Sequence, residues 1–144
     1  MRIAYFTLIH LEACKDLFLN FYNNDLNKCE FTKEKADSYL TELINAPRFV
    51  GFLLLDHEDK LVGAALCRER TWWDRDELHI DEFLLDIQNE NAKHGTKILK
   101  YMNRYVKERN LSGTTLITNN NAMAAFYQKA GFKDHEIYFM YRGA

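Results

Sequence analysis

Asp81 and Glu82 are neighbouring carboxylates at the head of an apolar run, in the stretch ELHIDEFLLD. A carboxylate held at the edge of a cleft can take or give a proton at a fixed place, so the pair is a candidate for general acid or base work. On an unbroken strand successive side chains alternate, and Asp81 and Glu82 are expected to point to opposite faces. His79 shares the parity of Asp81 and is the other candidate for moving a proton. The plainer role for Glu82 is pairing with a nearby Arg or Lys. A few residues on comes ENAKHGTK, Glu90 to Lys97. A glycine at the mouth of a helix lets an anion approach the first unpaired N–H groups, which the helix dipole makes electropositive. Gly95 would allow that approach, Thr96 adds a hydroxyl, and Lys93 and Lys97 add charge beside His94. Such a segment suits a phosphate. Lys97, Lys100, Arg104 and Lys107 recur at intervals of three and four, a basic stripe that equally describes the solvated side of an amphipathic helix.

Other residues offer weaker chemistry. Trp72, Trp73, Asp74 and Asp76 in TWWDRDE could bind a cationic amine through aromatic faces and carboxylates, or serve only as a hairpin end or a dimer contact. Tyr127 and Phe126 sit together at helical spacing, as core aromatics usually do. Three cysteines, Cys14, Cys29 and Cys67, are an odd number with neither disulfide nor zinc spacing, and imply reduced thiols in a cytoplasmic protein. No histidine is placed to activate Cys67 as a nucleophile.

Those residues need a scaffold. With 144 residues, 47% hydrophobic and 28% charged, the chain reads as one globular domain, 1–144, with a core of ordinary size. A net charge of -2 argues against nucleic acid or an anionic membrane surface as partner. The start lacks the form of a signal peptide, and FVGFLLL is too short to span a bilayer. Strand composition marks Arg2 to Leu8, and helical spacing joins Leu11, Cys14, Leu17, Phe18 and Phe21. FTKEKADSYLTELINAP reads as a second helix, capped by Thr32, with Leu40, Leu43 and Ile44 on its apolar face and Pro47 just past its end. RFVGFLLLD and KLVGAALCRERTWW form a hairpin through HEDK, and ELHIDEFLLD follows as the next strand. A helix after Gly95 buries Ile98, Leu99, Met102 and Val106. GTTLIT is a short strand, NNNAMAAFYQKAGF a helix stopped at Gly131, and HEIYFMYR a last strand. The order predicts an α/β fold with a mixed, mostly antiparallel central sheet flanked by helices.

From Asp81 to Phe132 the chain resembles the GNAT superfamily of N-acetyltransferases. ENAKHG stands where that family has a Q/R-x-x-G-x-G/A loop, TKILKYM continues like its following helix, and NNAMAAFYQKAGF matches its N-x-x-x-x-A-x-Y-x-K-x-G-F ending. The departures are Glu90 for the leading Gln or Arg, Lys93 for the first glycine and Ile87 for a common proline. The resemblance implies acetyl-CoA as co-substrate, no metal, and direct transfer of acetyl to a primary amine. It implies that Glu90, Lys93, His94, Gly95, Thr96 and Lys97 hold the pyrophosphate, and that Asn120 binds the pantetheine arm or another part of the cofactor, although an asparagine there could also cap the helix. The backbone at Phe83, Leu84 and Leu85 would pair with the pantetheine amides, with the Leu84 N–H polarising the thioester carbonyl. Glu82 falls where the family places a base, with Asp81, His79 or water as alternatives, and Tyr127 where it places the acid for the thiolate. Phe18, Phe21 and Tyr22 fall on the acceptor side or in the core, and Trp72, Trp73 and Asp81 are the candidate acceptor contacts. The acceptor it implies is a small-molecule or peptide amine, and a homodimer is possible, since dimers are common in the family. The alternative is a non-catalytic module of the same shape that binds acyl-CoA or a protein partner, a role the changes at Glu90 and Lys93 favour.

Overall fold

The computed structural model describes residues 1–23, 31–116 and 121–133. Cys29, Asn120 and the strand expected in HEIYFMYR lie outside the described residues. Among the described residues five strands form one open sheet in the order β1 (Arg2–Tyr5), β2 (Phe49–Leu55), β3 (Leu61–Thr71), β4 (Asp76–Leu85) and β5 (Thr114–Leu116). The first four are antiparallel and β5 runs parallel to β4. The sheet is mixed and mostly antiparallel, as expected.

Helices α1 (Leu11–Tyr22) and α2 (Lys33–Ile44) cover one face, burying Cys14, Leu17, Phe18, Leu40 and Leu43 against Leu53, Ala64, Leu66 and Leu84. Helices α3 (Thr96–Glu108) and α4 (Asn121–Lys129) belong to the other face, where Ile98, Leu99, Met102, Val106 and Tyr127 pack on Phe52, Leu54, Ala65, Ile80, Phe83 and Leu85. Burial on both faces explains why the central strands read as continuous apolar runs rather than alternating ones.

Local signals act where they are written. The Thr32 hydroxyl accepts the Lys35 N–H at 3.2 Å and starts α2. In the β2–β3 turn the Asp56 carboxylate accepts the N–H groups of Glu58 and Lys60, each at 2.9 Å. Gly131 takes φ 102° just past α4, a backbone conformation that favours glycine. The first strand is shorter than expected. It ends at Tyr5, and Leu8–His10 turns into a 3-10 helix whose entry is fixed by the Thr7 N–H donating to His10 Nδ1 at 3.1 Å.

The feature that matters for the site is a break in the β3–β4 ladder. Leu66 pairs with Glu82 and Cys67 with Ile80, so Asp81 is an extra residue on β4. Such a bulge reverses the side-chain alternation. Leu78 and Ile80 face α3, and so do Phe83 and Leu85 beyond the bulge, while Leu84 faces α1 and α2. The expectation that Asp81 and Glu82 point to opposite faces therefore fails. Asp81 bonds Arg68 of β3, Glu82 bonds tyrosines of α1 and α2, and both carboxylates serve the same side of the sheet.

Candidate active site

Strand β4 is where the sheet opens. It pairs with β5 only from Leu78 to Ile80 among the described residues, but continues beside β3 to Leu85. The Asp86 N–H donates to Val62 O at 2.8 Å, so by alternation the Leu84 N–H also faces β3. The N–H groups of Phe83 and Leu85 then face the open edge. This corrects the expectation for Leu84, because the bulge had hidden the phase of the strand. Two outward amides on an edge with no partner among the described residues can take an extended ligand as an added strand.

Glu82 stands at the start of that edge. Its carboxylate accepts hydrogen bonds from the hydroxyls of Tyr22 on Oε2 and of Tyr39 on Oε1, the latter at 2.7 Å. Burial pushes its pKa above the ordinary carboxylate range; the two phenol hydrogen bonds oppose that rise and the charge of Asp81 adds to it. A carboxylate raised in this way is closer to the ionisation expected of a base working near neutral pH. Asp81 has a different environment. Arg68 grips it with Nε on Oδ2 and a terminal nitrogen on Oδ1, both at 2.8 Å. That bidentate pair occupies both oxygens of Asp81. His79 is buried, shares a hydrogen bond with the Thr115 hydroxyl at 2.9 Å and lies 4.0 Å from Asp81. Burial, then the charge of Arg70, lowers its pKa and holds it neutral.

Tyr127 approaches from α4, on the opposite side of β4. Its ring contacts Phe83, Phe126 and Phe132, with centroids 5.7, 5.7 and 5.8 Å away. Among the described residues no hydrogen bond engages its hydroxyl. Burial raises its pKa, and the charge of Glu82 raises it further, so the phenol stays protonated and lies within electrostatic reach of the base candidate. The structure thus brings Glu82 and Tyr127 to the two sides of one open edge.

The segment Glu90–Gly95 is not an open loop. It forms a 3-10 helix that runs directly into α3, opened by Asn89, whose side chain accepts the Asn91 N–H at 2.9 Å. Gly95 is buried at the junction, and a Cβ there would stand 2.7 Å from Leu85 Cδ2 and 3.3 Å from Cδ1. The glycine is needed for packing against the very strand that carries the open edge. Lys93, Lys97 and Glu90 are exposed, with His94 and Thr96 half-buried. The pKa of His94 is lowered by desolvation and by the charges of Lys97 and Lys93, which marks a positive field at the mouth of α3.

The tryptophans are placed elsewhere. The Trp72 indole N–H donates to Glu77 at 2.6 Å, and the Arg70 guanidinium lies over its ring, 5.2 Å from the centroid. Trp73 is exposed. Asp76 and Glu82 are six residue steps apart along β4, roughly 20 Å of chain, so the hairpin end and the bulge are distinct places. Cys67 is fully buried, which pushes its thiol well above the usual range and leaves it unfit as a nucleophile. Among the described residues no group of three His, Cys, Asp or Glu side chains could hold a metal ion. No described helix is long and apolar enough to cross a membrane. Sequence reasoning missed Tyr39 altogether and left Tyr22 between acceptor side and core. Their one signal was position at the border of an apolar helical stripe.

The sequence profile of the acetyltransferase (GNAT) family matches residues 11–132. The chain belongs to the GNAT acetyltransferase family. Its fold recurs in solved structures of low sequence identity. One, described as a probable acetyltransferase, superposes with a TM-score of 0.80 at 18% identity over 98% of this chain and 95% of that one. A GNAT family acetyltransferase from Staphylococcus aureus gives 0.71 at 16% identity over 99% of each chain. The aminoglycoside N-acetyltransferase AAC(6')-Iy, in complex with CoA, gives 0.75 at 14% identity over 98% of this chain and 93% of that one. At such identities the likeness speaks for the fold. No curated protein sequence matches the chain.

Proposed function

We propose that the protein is an acetyl-CoA-dependent N-acetyltransferase that moves the acetyl group directly to a primary amine. The observation that carries this reading is the placement of Glu82 and Tyr127 on either side of the stretch of β4 that has no strand partner among the described residues. The chain's residues fit acetyl-CoA in two respects: the outward amides of Phe83 and Leu85, and the positive field of Lys93 and Lys97 beside Thr96 and Gly95. Acetyl-CoA, when bound, supplies the acetyl group as a thioester and departs as the thiol. An ammonium group has no lone pair, so Glu82 removes a proton from the acceptor before attack. The Phe83 N–H, turned to the open edge, is the donor to the carbonyl oxygen as negative charge grows there. Tyr127 gives or shares its hydroxyl proton with the departing sulfur.

The acceptor is a basic amine. Among the described residues no Lys, Arg or His forms an ion pair with Glu82, whereas Asp81 has Arg68 and Glu77 has Arg70. The uncompensated carboxylate suits an acceptor that arrives as a cation, the class to which aminoglycosides, substrates of the AAC(6')-Iy neighbour, belong. Calorimetric titration with acetyl-CoA tests the reading, with desulfo-CoA and ATP as comparators and an amine screen to follow. Micromolar binding of acetyl-CoA and not ATP, with turnover of at least one amine, is the expected result.

One observation favours a second reading, the non-catalytic module. The continuous helical turn through Glu90–Gly95, with Glu90 in its first turn, commits backbone that an open loop would turn toward phosphates. Absence of acetyl-CoA binding in the same titration would select it.

A further inference from the structure

Tyr22 and Tyr39 lie 60 and 43 residues from Glu82 in sequence and on different helices, yet each phenol donates to a different oxygen of the same carboxylate. The arrangement is specific. Phe18 packs between the two helices, its ring 4.7 Å from that of Tyr22 and 5.6 Å from that of Tyr39, and fixes where both phenols point. The kind of donor matters as much as the number. A neighbouring Arg or Lys would hold the carboxylate ionised but would cancel its charge and repel an incoming ammonium. A phenol stabilises the negative charge and leaves it in place.

Resting on the N-acetyltransferase reading, we propose that Tyr22 and Tyr39 are positioning residues that keep Glu82 ionised and aimed at the open edge without neutralising it, so that it can receive a cationic acceptor. The surroundings of Glu82 are consistent from every side. Tyr22 comes from α1, Tyr39 from α2 and Tyr127 from α4, all neutral phenols. Asp81 on its own strand adds negative charge, and Arg68 of β3 is engaged by Asp81. Burial and Asp81 both disfavour ionisation, so the two phenol bonds are what restrain the rise.

The test is a titration of the ligand-free protein labelled with 13C at the glutamate carboxyl carbons, followed by NMR, with Glu82→Gln used to assign the Glu82 resonance. Tyr22→Phe and Tyr39→Phe each keep the ring and remove one donor. Losing a donor to the charged form moves the Glu82 midpoint upward, by about 1 unit per bond. The acid limb of kcat/KM for an amine acceptor moves up by the same amount, since a base works only when deprotonated, while kcat on the plateau changes less. A merely structural pair of tyrosines would lower thermal stability and leave the midpoint and the limb where they are, and that result overturns the proposal. If the midpoint moves but the wild-type protein acetylates no amine, the enzyme reading fails and the catalytic use of the pair falls with it.

Discussion

Tyr127→Phe separates chemistry from packing at one position. The ring is held by Phe83, Phe126 and Phe132 and is buried, while the hydroxyl has no partner among the described residues. Phenylalanine keeps every ring contact. Stability should change by less than about 1 kcal/mol, a shift of roughly 3 °C or less for a domain of this size. Turnover should fall far more. A positioned general acid contributes about 10²–10⁴-fold, and the thiol is a moderate leaving group, so a loss near the lower end, about 100-fold or 2.7 kcal/mol in the barrier, is expected. Tyr127→Ala is the control: emptying the aromatic nest costs about 3–5 kcal/mol and lowers the melting temperature by on the order of 10 °C. The assay follows free thiol released from acetyl-CoA at saturating amine, alongside thermal melts and calorimetry of acetyl-CoA binding. Tyr127→Phe with wild-type turnover would remove the acid role. Equal loss of stability in both variants would show that the hydroxyl is structural.

Gly95→Ala places a Cβ 2.7 Å from Leu85 Cδ2 and should cost about 1–2 kcal/mol of overpacking, less any helix-propensity gain. Acetyl-CoA affinity should weaken in parallel as Leu85 shifts the open edge; a thermal melt and one titration decide, and unchanged values in both would mean the site yields freely. Arg68→Ala leaves Asp81 without its bidentate partner, and with Arg68 partly exposed the loss is about 1–3 kcal/mol. The freed charge beside Glu82 should also move the acid limb of the pH–rate profile upward, which an unmoved limb would contradict. Glu82→Gln should abolish the base while changing stability in a pH-dependent way. Because the folded pKa of Glu82 is raised, its protonated form is the one the fold favours. The wild type then loses stability as pH rises from the ordinary carboxylate range through that raised value, and the variant does not. Melting curves from about pH 4 to 9 should show the variant gaining relative to wild type as pH rises; a constant difference would refute the raised pKa.

The sequence by itself determined the parts governed by near neighbours. Apolar runs marked β2, β3 and β4, the Thr32 cap and the Asp56 turn lie within a few residues of what they control, and Gly131 announces its own backbone angle. The GNAT-like ending around Tyr127 and the carboxylate at Glu82 were legible for the same reason, as residue types at a given spacing. What the sequence could not carry was phase and partnership. The bulge at Asp81 arises between two strands, and one extra residue there brings both carboxylates to the same side and turns the Phe83 and Leu85 amides, rather than that of Leu84, to the open edge. The segment before α3 read as a loop because its residues are polar, but Asn89 and the burial of Gly95 against Leu85 close it into a helical turn. Tyr22 and Tyr39 meet Glu82 only because α1 and α2 pack on β4, and Asp81 is claimed by Arg68 only because β3 pairs with β4. Contacts between residues dozens of positions apart leave no local mark, so the pairing of Asp81 with Arg68, and of Glu82 with two phenols and no cation among the described residues, belongs to the tertiary structure alone.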